Sequence, residues 1–284
     1  GSVFKTFTLA AGLNYKDVNL NTNFQNLPKI IYCAGRPIRE YDENIPKNLT
    51  AEEILIRSGN IGSVRIAQKI GEKKYSSFLK KIGILNRIEF ELEEMGTPLP
   101  IKWGKCKLAT SSFGHGITTT ILQLAKGYSI LSNGGYDVKP TIIKKTNTNK
   151  IKKKILNEKI SNDINLTLRK IVSTKMGTAN LANIKGLEIG GKTGTAQKSV
   201  DGVYSNEKIN TFVGVFPTSD PKFVLAVMLD RPQINKNYIY EYKDGSGFKL
   251  KGTPRNTAGW TTVEVTGKIL EKIGPILATK YMEF

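Results

Sequence analysis

Two short strings in this chain combine residue types that can move acyl groups and protons: Ser58-Gly59-Asn60 and Lys192-Thr193-Gly194, each present once. A third pattern, Ser-x-x-Lys, sets a hydroxyl and an amine one turn apart on a helix, so that the amine can activate the hydroxyl as a nucleophile. It occurs five times, at Ser2–Lys5, Ser77–Lys80, Ser205–Lys208, Ser219–Lys222 and Ser246–Lys249, and alone it carries no information. Order makes the selection. A serine acyl-enzyme site of this kind runs Ser-x-x-Lys, Ser-x-Asn, Lys-Thr-Gly. Only Ser2 precedes Ser58, and it stands directly before the apolar stretch FKTFTLAAGL, where a helix N-terminus would favour developing negative charge.

Each string also has a plain structural reading. Gly1-Ser2 has the form of a residue pair left by cloning. Ser, Gly and Asn are what a helix-connecting turn favours. Residues 186–193 (GLEIGGKT) satisfy the phosphate-loop string G-x-x-x-x-G-K-[ST]. That motif begins a helix after a buried strand, whereas here Gly194 follows Thr193 at once and ANIK precedes Gly186. His115 is the only histidine, so a Ser-His-Asp relay would have to run through it and a zinc site would have at most one imidazole. No metal site or cofactor is expected. Cys33 and Cys106 could form one bridge, although isolated thiols are more often small buried hydrophobes.

The elements that must hold these groups follow from periodicity and punctuation. Residues 4–13 read as a buried helix, and residues 14–47, rich in Asn, Pro and Gly, read as loop. Thr50 with Glu53 forms a capping-box pattern opening the helix AEEILIRS. A break at Gly59-Asn60 and two further helices, IGSVRIAQKIG and EKKYSSFLKKIG, complete a helical stretch ending at Gly83. Residues 117–132 and 160–176 suggest two more helices, the first stopped by Asn133-Gly134-Gly135. GLEIGGKTGTAQ, INTFVGVFP and KFVLAVMLD then read as strands, the last two joined by TSDP, and WTTVEVTGKILEKIGPIL as a closing helix. The expected class is mixed α/β (α+β), an antiparallel sheet flanked by helices plus a helical lobe.

The chain has 284 residues, with Lys+Arg 43 against Asp+Glu 24, a net charge of +19. Such an excess attracts polyanions, but the lysines are scattered. Only residues 144–154 (KKTNTNKIKKK) cluster, as a basic loop or hairpin edge, and no RNA-binding or zinc-finger signature accompanies them. No nucleic-acid partner is expected. No uncharged apolar run approaches the ~18 residues of a membrane-spanning helix, and no signal-peptide pattern is present.

GSVFKTFTLAAGL, LTAEEILIRSGNIGSVRIAQKIG and GKTGTAQ resemble the three active-site motifs of the penicillin-binding transpeptidases with their surroundings. ELEEMGTPLP, SSFGHGITTTILQLAKGYSILSNGG, INTFVGVFP and TAGWTTVEVTGKIL are similar to the class B, cell-division branch. The resemblance implies a peptidoglycan D,D-transpeptidase of the serine β-lactamase and penicillin-binding-protein fold. Ser2 would attack the penultimate D-alanine carbonyl of a stem peptide, Lys5 would take its proton, Ser58 would relay a proton to the leaving D-alanine, and Lys192 would supply positive field. Asn60 would bind the donor peptide's amide, and Thr193 and Thr195, on either side of Gly194, would hold the substrate carboxylate. The backbone N–H groups of Ser2 and Thr195 would form the oxyanion hole.

The partners so implied are stem peptides ending in D-Ala-D-Ala, β-lactams and membrane proteins of the division complex, at the extracytoplasmic face of the bacterial inner membrane. His115, in the stretch FGHG, would be structural. A β-lactamase or β-lactam sensor uses related motifs, but no Glu-x-x-Leu-Asn follows the second motif; a basic binding module is the remaining alternative. The family has its first helix, first sheet strands, anchor and a non-catalytic module before the nucleophile. One truncated transpeptidase domain over residues 1–284 is therefore expected, with its first strands missing. Its helical lobe would span about 14–140, and its sheet portion about 185–284 together with the 1–13 helix.

Overall fold

The computed structural model describes residues 1–92, 102–104, 106–144, 153–200, 203–252 and 255–281. Its first element, α1 (Phe4–Asn14), is buried on every side from Phe4 to Leu13, as a helix apolar all round must be. Its two interior hydroxyls are paired, as buried polar groups require. Thr6 Oγ1 lies 2.9 Å from the Tyr128 hydroxyl, and Thr8 Oγ1 donates to the Ser112 carbonyl at 2.7 Å.

The chain then makes β1 (Asn23–Phe24), a hairpin of β2 (Ile30–Cys33) and β3 (Arg36–Arg39), and β4 (Leu49–Thr50), which pairs antiparallel with β1. Three helices follow: α2 (Ala51–Ile56), α3 (Asn60–Ile70) and α4 (Glu72–Lys81). The capping box at the start of α2 forms as read. Thr50 Oγ1 accepts from Glu53 N at 3.2 Å, and a Glu53 carboxylate oxygen accepts from Thr50 N at 2.8 Å. Helices α5 (Lys107–Ser111), α6 (Ile121–Ser132) and α7 (Glu158–Ser173) complete the helical part. The sheet consists of β5 (Gly190–Val200), β6 (Val203–Phe216) and β7 (Phe223–Asp230), antiparallel in the order β5-β6-β7. A small pair, β8 (Ile239–Glu241) and β9 (Lys249–Lys251), precedes α8 (Thr262–Tyr281), which packs across β6 and β7. One hydrophobic core runs from Phe7 and Tyr128 through Ile164 and Leu168 to Val213, Val263 and Leu270.

Several boundaries differ from the sequence reading for local reasons. Residues 117–120 lie outside the helix because Thr120 is extended and caps α6, its Oγ1 accepting from Gln123 N at 3.2 Å. Asn157 does the same for α7, which begins at Glu158. The expected loop 14–47 contains the β2–β3 hairpin, whose turn, Ala34-Gly35, takes φ of 49° and 76°. Short mirror-image turns of this kind are compact enough to hide inside a polar, Gly- and Pro-containing stretch. The cysteines are not separate buried thiols: Cys33 and Cys106 form a disulfide with Cα atoms 5.7 Å apart, tying the hairpin to the start of α5. Residues 145–152 of the basic run and 93–100 of ELEEMGTPLP lie outside the described residues. Among the described residues, no helix is long and apolar enough to cross a membrane, and no three His, Cys, Asp or Glu residues group as a metal site.

Candidate active site

Helix α1 begins immediately after Ser2 and Val3, and the first turn is closed by Phe4 N donating to Gly1 O at 3.1 Å and Lys5 N to Ser2 O at 3.2 Å. Ser2 and Lys5 thus occupy one turn at the helix N-terminus. This turn lies against strand β5. A Cβ placed on Gly194 would come within 3.0 Å of Val3 Cγ1 and 3.2 Å of Val3 N, so a side chain here would press on the turn of α1, and glycine lets the strand pass this closely. The contact brings Gly194 beside Ser2 and Thr195 beside Gly1.

The middle motif arrives from the opposite side. Helix α2 ends at Ile56, and Ser58 adopts a φ of 60°, a left-handed conformation that a serine takes only when its surroundings hold it there. Gly59 N donating to Ile54 O at 2.9 Å closes this turn. The resulting orientation sends the Ser58 hydroxyl inward. Lys5 Nζ donates to Ser58 O at 2.5 Å and to Ser58 Oγ at 3.1 Å, while Lys192 Nζ donates to the same Oγ at 2.8 Å. One hydroxyl therefore bridges two lysines. Lys192 also donates to its neighbour's carbonyl, Thr193 O, at 3.1 Å.

Both amines are buried, Lys5 at 2% exposure and Lys192 at 0%, and among the described residues neither has an ion-pair partner. Burial of an unpaired ammonium disfavours its charged form. It lowers Lys5 to about 7, against an opposing pull from the Glu40 carboxylate. Lys192 is held well below the ordinary lysine range, by burial first and by the neighbouring Lys5 charge second. Burial is thus the main cause that makes a neutral Lys5 accessible near pH 7. The Ser2 hydroxyl has no hydrogen-bond partner among the described residues, and Lys5 instead points to Ser58. Catalytic hydrogen bonds commonly tighten only when substrate is present.

The remaining motif residues surround this cluster. Thr193 Oγ1 lies 2.7 Å from Thr178 Oγ1, and Thr195 Oγ1 accepts from Ala258 N at 2.9 Å. Asn60 stands apart from the lysines, its Nδ2 donating to Arg39 O at 2.8 Å. Glu40 had no sequence signal, since it falls in the stretch read as loop. Its carboxylate accepts from Asn60 N at 2.6 Å and from Ile61 N at 2.9 Å, the opening amides of α3. Thr178 and the Ala258 amide are likewise visible only in three dimensions. The phosphate-loop reading fails on geometry, because Lys192 and Thr193 lie inside an antiparallel strand, opposite Val213 and Phe212. His115 packs beside Phe113, and burial is the first cause holding its imidazole below the ordinary histidine value. A surface recess of about 460 Å³, lined by Asn19, Glu52, Lys159, Asp163 and Lys170 among others, contains none of the motif residues.

Residues 1–246 match the family model described as the penicillin binding protein transpeptidase domain. The chain is 30% identical, over 99% of its length, to the probable peptidoglycan D,D-transpeptidase FtsI of Caulobacter vibrioides, covering 46% of that protein. It is 32% identical to stage V sporulation protein D of Bacillus subtilis, over 82% of this chain and 38% of the relative. It thus spans about half the length of the curated relatives it matches or less. The transpeptidase domain of Burkholderia pseudomallei penicillin-binding protein 3 superposes with a TM-score of 0.82 at 24% identity, covering 99% of this chain and 79% of that one. Penicillin-binding protein 3 of Mycobacterium tuberculosis, solved with aztreonam, gives 0.79 at 23% identity, covering 96% and 62%. Those two likenesses give the fold, an α/β arrangement of antiparallel sheet and helices, and the family-model match gives membership: the chain belongs to the penicillin-binding protein transpeptidase domain family.

Proposed function

We propose that this chain is the catalytic domain of a serine-type peptidoglycan D,D-transpeptidase of the class B, cell-division kind. The observation that carries the reading is the Ser58 hydroxyl shared by two buried lysines, one of them on the same helical turn as Ser2. Burial at Lys5 supplies what a general base needs, a proton affinity close to neutral pH.

The reaction runs in two halves. Ser2 Oγ attacks the penultimate D-alanine carbonyl as Lys5 Nζ takes its proton. The oxygen of the tetrahedral intermediate is held by the Ser2 and Thr195 backbone N–H groups, whose removal typically costs several kcal/mol of barrier. The C–N bond breaks, and Ser58 passes a proton to the departing D-alanine amine while taking the former Ser2 proton from Lys5 Nζ, which leaves Ser58 protonated and Lys5 neutral for the second half. In the second half an amine from a neighbouring stem attacks the Ser2 ester. The C–O bond breaks, the cross-linking amide forms, and the proton released by the amine returns to Ser2 through Lys5.

The terminal substrate carboxylate sits against Thr193, Thr195 and Lys192. It supplies the counter-charge that Lys192 lacks among the described residues, so substrate binding draws a proton onto that lysine. Asn60 accepts or donates to the donor peptide's amide. β-Lactams acylate Ser2 as mimics of D-Ala-D-Ala; the mycobacterial relative's structure with aztreonam is consistent with that for the fold. The site faces the extracytoplasmic side of the inner membrane and works with division-complex membrane proteins. Neither cofactor nor metal enters any step.

Fluorescent-penicillin labelling of the intact protein tests this reading. The adduct is expected to be long-lived and to disappear in Ser2→Ala. Labelling that persists in that variant refutes Ser2 as nucleophile, and rapid hydrolysis of the adduct points to a β-lactamase instead.

A further inference from the structure

Helix α3 begins without a capping side chain of its own, because its N-cap is Gly59. The opening amides of a helix need acceptors, and here they are satisfied from a distant part of the chain. Glu40, directly after β3, accepts from Asn60 N and Ile61 N through its two carboxylate oxygens at 2.6 and 2.9 Å. The preceding residue clamps the same asparagine, since Arg39 O accepts from Asn60 Nδ2 at 2.8 Å. Gly59 leaves room for this approach: a Cβ there would stand 3.1 Å from Ile45 Cδ1 and 3.7 Å from Glu40 Oε1. The hairpin carrying both residues is fastened through Cys33–Cys106 to the start of α5, which packs against α3.

The Ser58-Gly59-Asn60 turn is therefore fixed from outside its own helices, and Ser58 at its head holds Lys5 and Lys192. We propose that Glu40 is a positioning residue for acyl transfer: its carboxylate sets the Ser58-Gly59-Asn60 turn and supplies the negative charge facing Lys5. This rests on the transpeptidase reading above. Glu40 reaches no reacting atom itself; it acts through Asn60, Ser58 and the field at Lys5. Among the described residues the charged side chains facing Lys5 are Lys192 from β5 and Glu40, and of the two Glu40 favours the protonated amine.

The test measures second-order acylation by fluorescent penicillin from pH 5.5 to 9 on the intact protein and on E40Q, E40D and E40A, with melting temperatures alongside. In E40Q one amide loses its acceptor and the charge is gone. The plateau rate is expected to fall about tenfold, the order expected for a charged hydrogen bond, and the acid limb to move to lower pH. E40D keeps the charge on a shorter stem, so its plateau falls while its acid limb stays in place. Amide exchange at Asn60 and Ile61 is expected to quicken in E40Q and E40A. An E40Q protein with the parent's plateau and an unmoved limb overturns the role of Glu40 while leaving the transpeptidase reading intact. A plateau that falls only as far as melting temperature predicts, with the limb unmoved, also overturns it. If the unsubstituted protein takes no penicillin, the transpeptidase reading fails and the role of Glu40 fails with it.

Discussion

Replacing Lys5 by arginine isolates the general-base step, because arginine keeps the charge and cannot give up its proton in a protein. The ordinary lysine value is 10.5, and burial lowers Lys5 to about 7. At pH 7 about half the molecules would carry the neutral amine, against roughly one in three thousand at the unshifted value. The site thus gains about a thousandfold in competent base, worth roughly 4 to 5 kcal/mol at 1.36 kcal/mol per unit. Acylation by penicillin in the unsubstituted protein should rise about tenfold per pH unit below 7 and level off above it. Lys5 and Lys192 share the Ser58 hydroxyl, so the inflection belongs to the pair. K5R should lose the acid limb and at least about a thousandfold in rate across the whole range. The measurement is a stopped-flow or quenched labelling series at saturating protein stability, with circular dichroism to establish that K5R is folded. A rate flat between pH 5.5 and 8 in the unsubstituted protein, or K5R within tenfold of it, would refute the assignment of Lys5 as base.

Three further outcomes follow from the same geometry. Stability should rise with pH between about 7 and 10.5, because the unfolded chain holds the Lys5 proton over that window while the folded chain has released it; urea midpoints at pH 7 and 9.5 check the sign, and K5M should lessen the dependence, leaving the part that buried Lys192 contributes with the same sign. Gly194→Ala should lower acylation on the order of a hundredfold, since its Cβ would meet Val3 Cγ1 at 3.0 Å and shift the turn bearing Ser2; parental acylation kinetics would show that the approach of α1 to β5 has slack. The paired variant C33S/C106S should lose about 4 kcal/mol, because the bridge closes a loop of 73 residues in sequence separation; thermal melting of oxidised, reduced and Ser-substituted protein measures it.

What the sequence made legible is what local chemistry decides. FKTFTLAAGL is a buried helix because, Lys5 apart, every face is apolar or carries a small hydroxyl, and the core accepts it on all sides. Thr50 and Glu53 set the start of α2 through their own side chains, and the Asn133-Gly134-Gly135 stop ends α6 where the backbone needs positive φ at both glycines. In strand β5 the KTG string was readable through its single occurrence and its place after Ser58-Gly59-Asn60, while the close approach of its glycine to the turn of α1 shows only in the folded chain. The sharing of Ser58 by Lys5 and Lys192 was legible only as an ordered set of motifs, not as a contact.

The groups that stayed hidden act across chain distance. Glu40 is one acidic residue in a polar stretch, and nothing in its neighbourhood signals that it caps a helix starting 20 residues later. Thr178 meets Thr193 across the turn from α7 into β5, and Ala258 reaches Thr195 from just before α8; in each case a residue type common on any surface becomes specific through its partner. The disulfide was hidden for the same reason, since two cysteines give one connectivity but no statement of whether it forms. These hidden groups share a task. Three of the residues expected to contact substrate are each held by a neighbour outside the motifs: Asn60 by Arg39 and Glu40, Thr193 by Thr178, Thr195 by the Ala258 amide. The motif residues must be free to exchange partners with a substrate, so their positions have to be set by backbone groups and by side chains outside the motifs. That is why the motifs alone announced the reaction class, while the means of fixing their geometry required the folded chain.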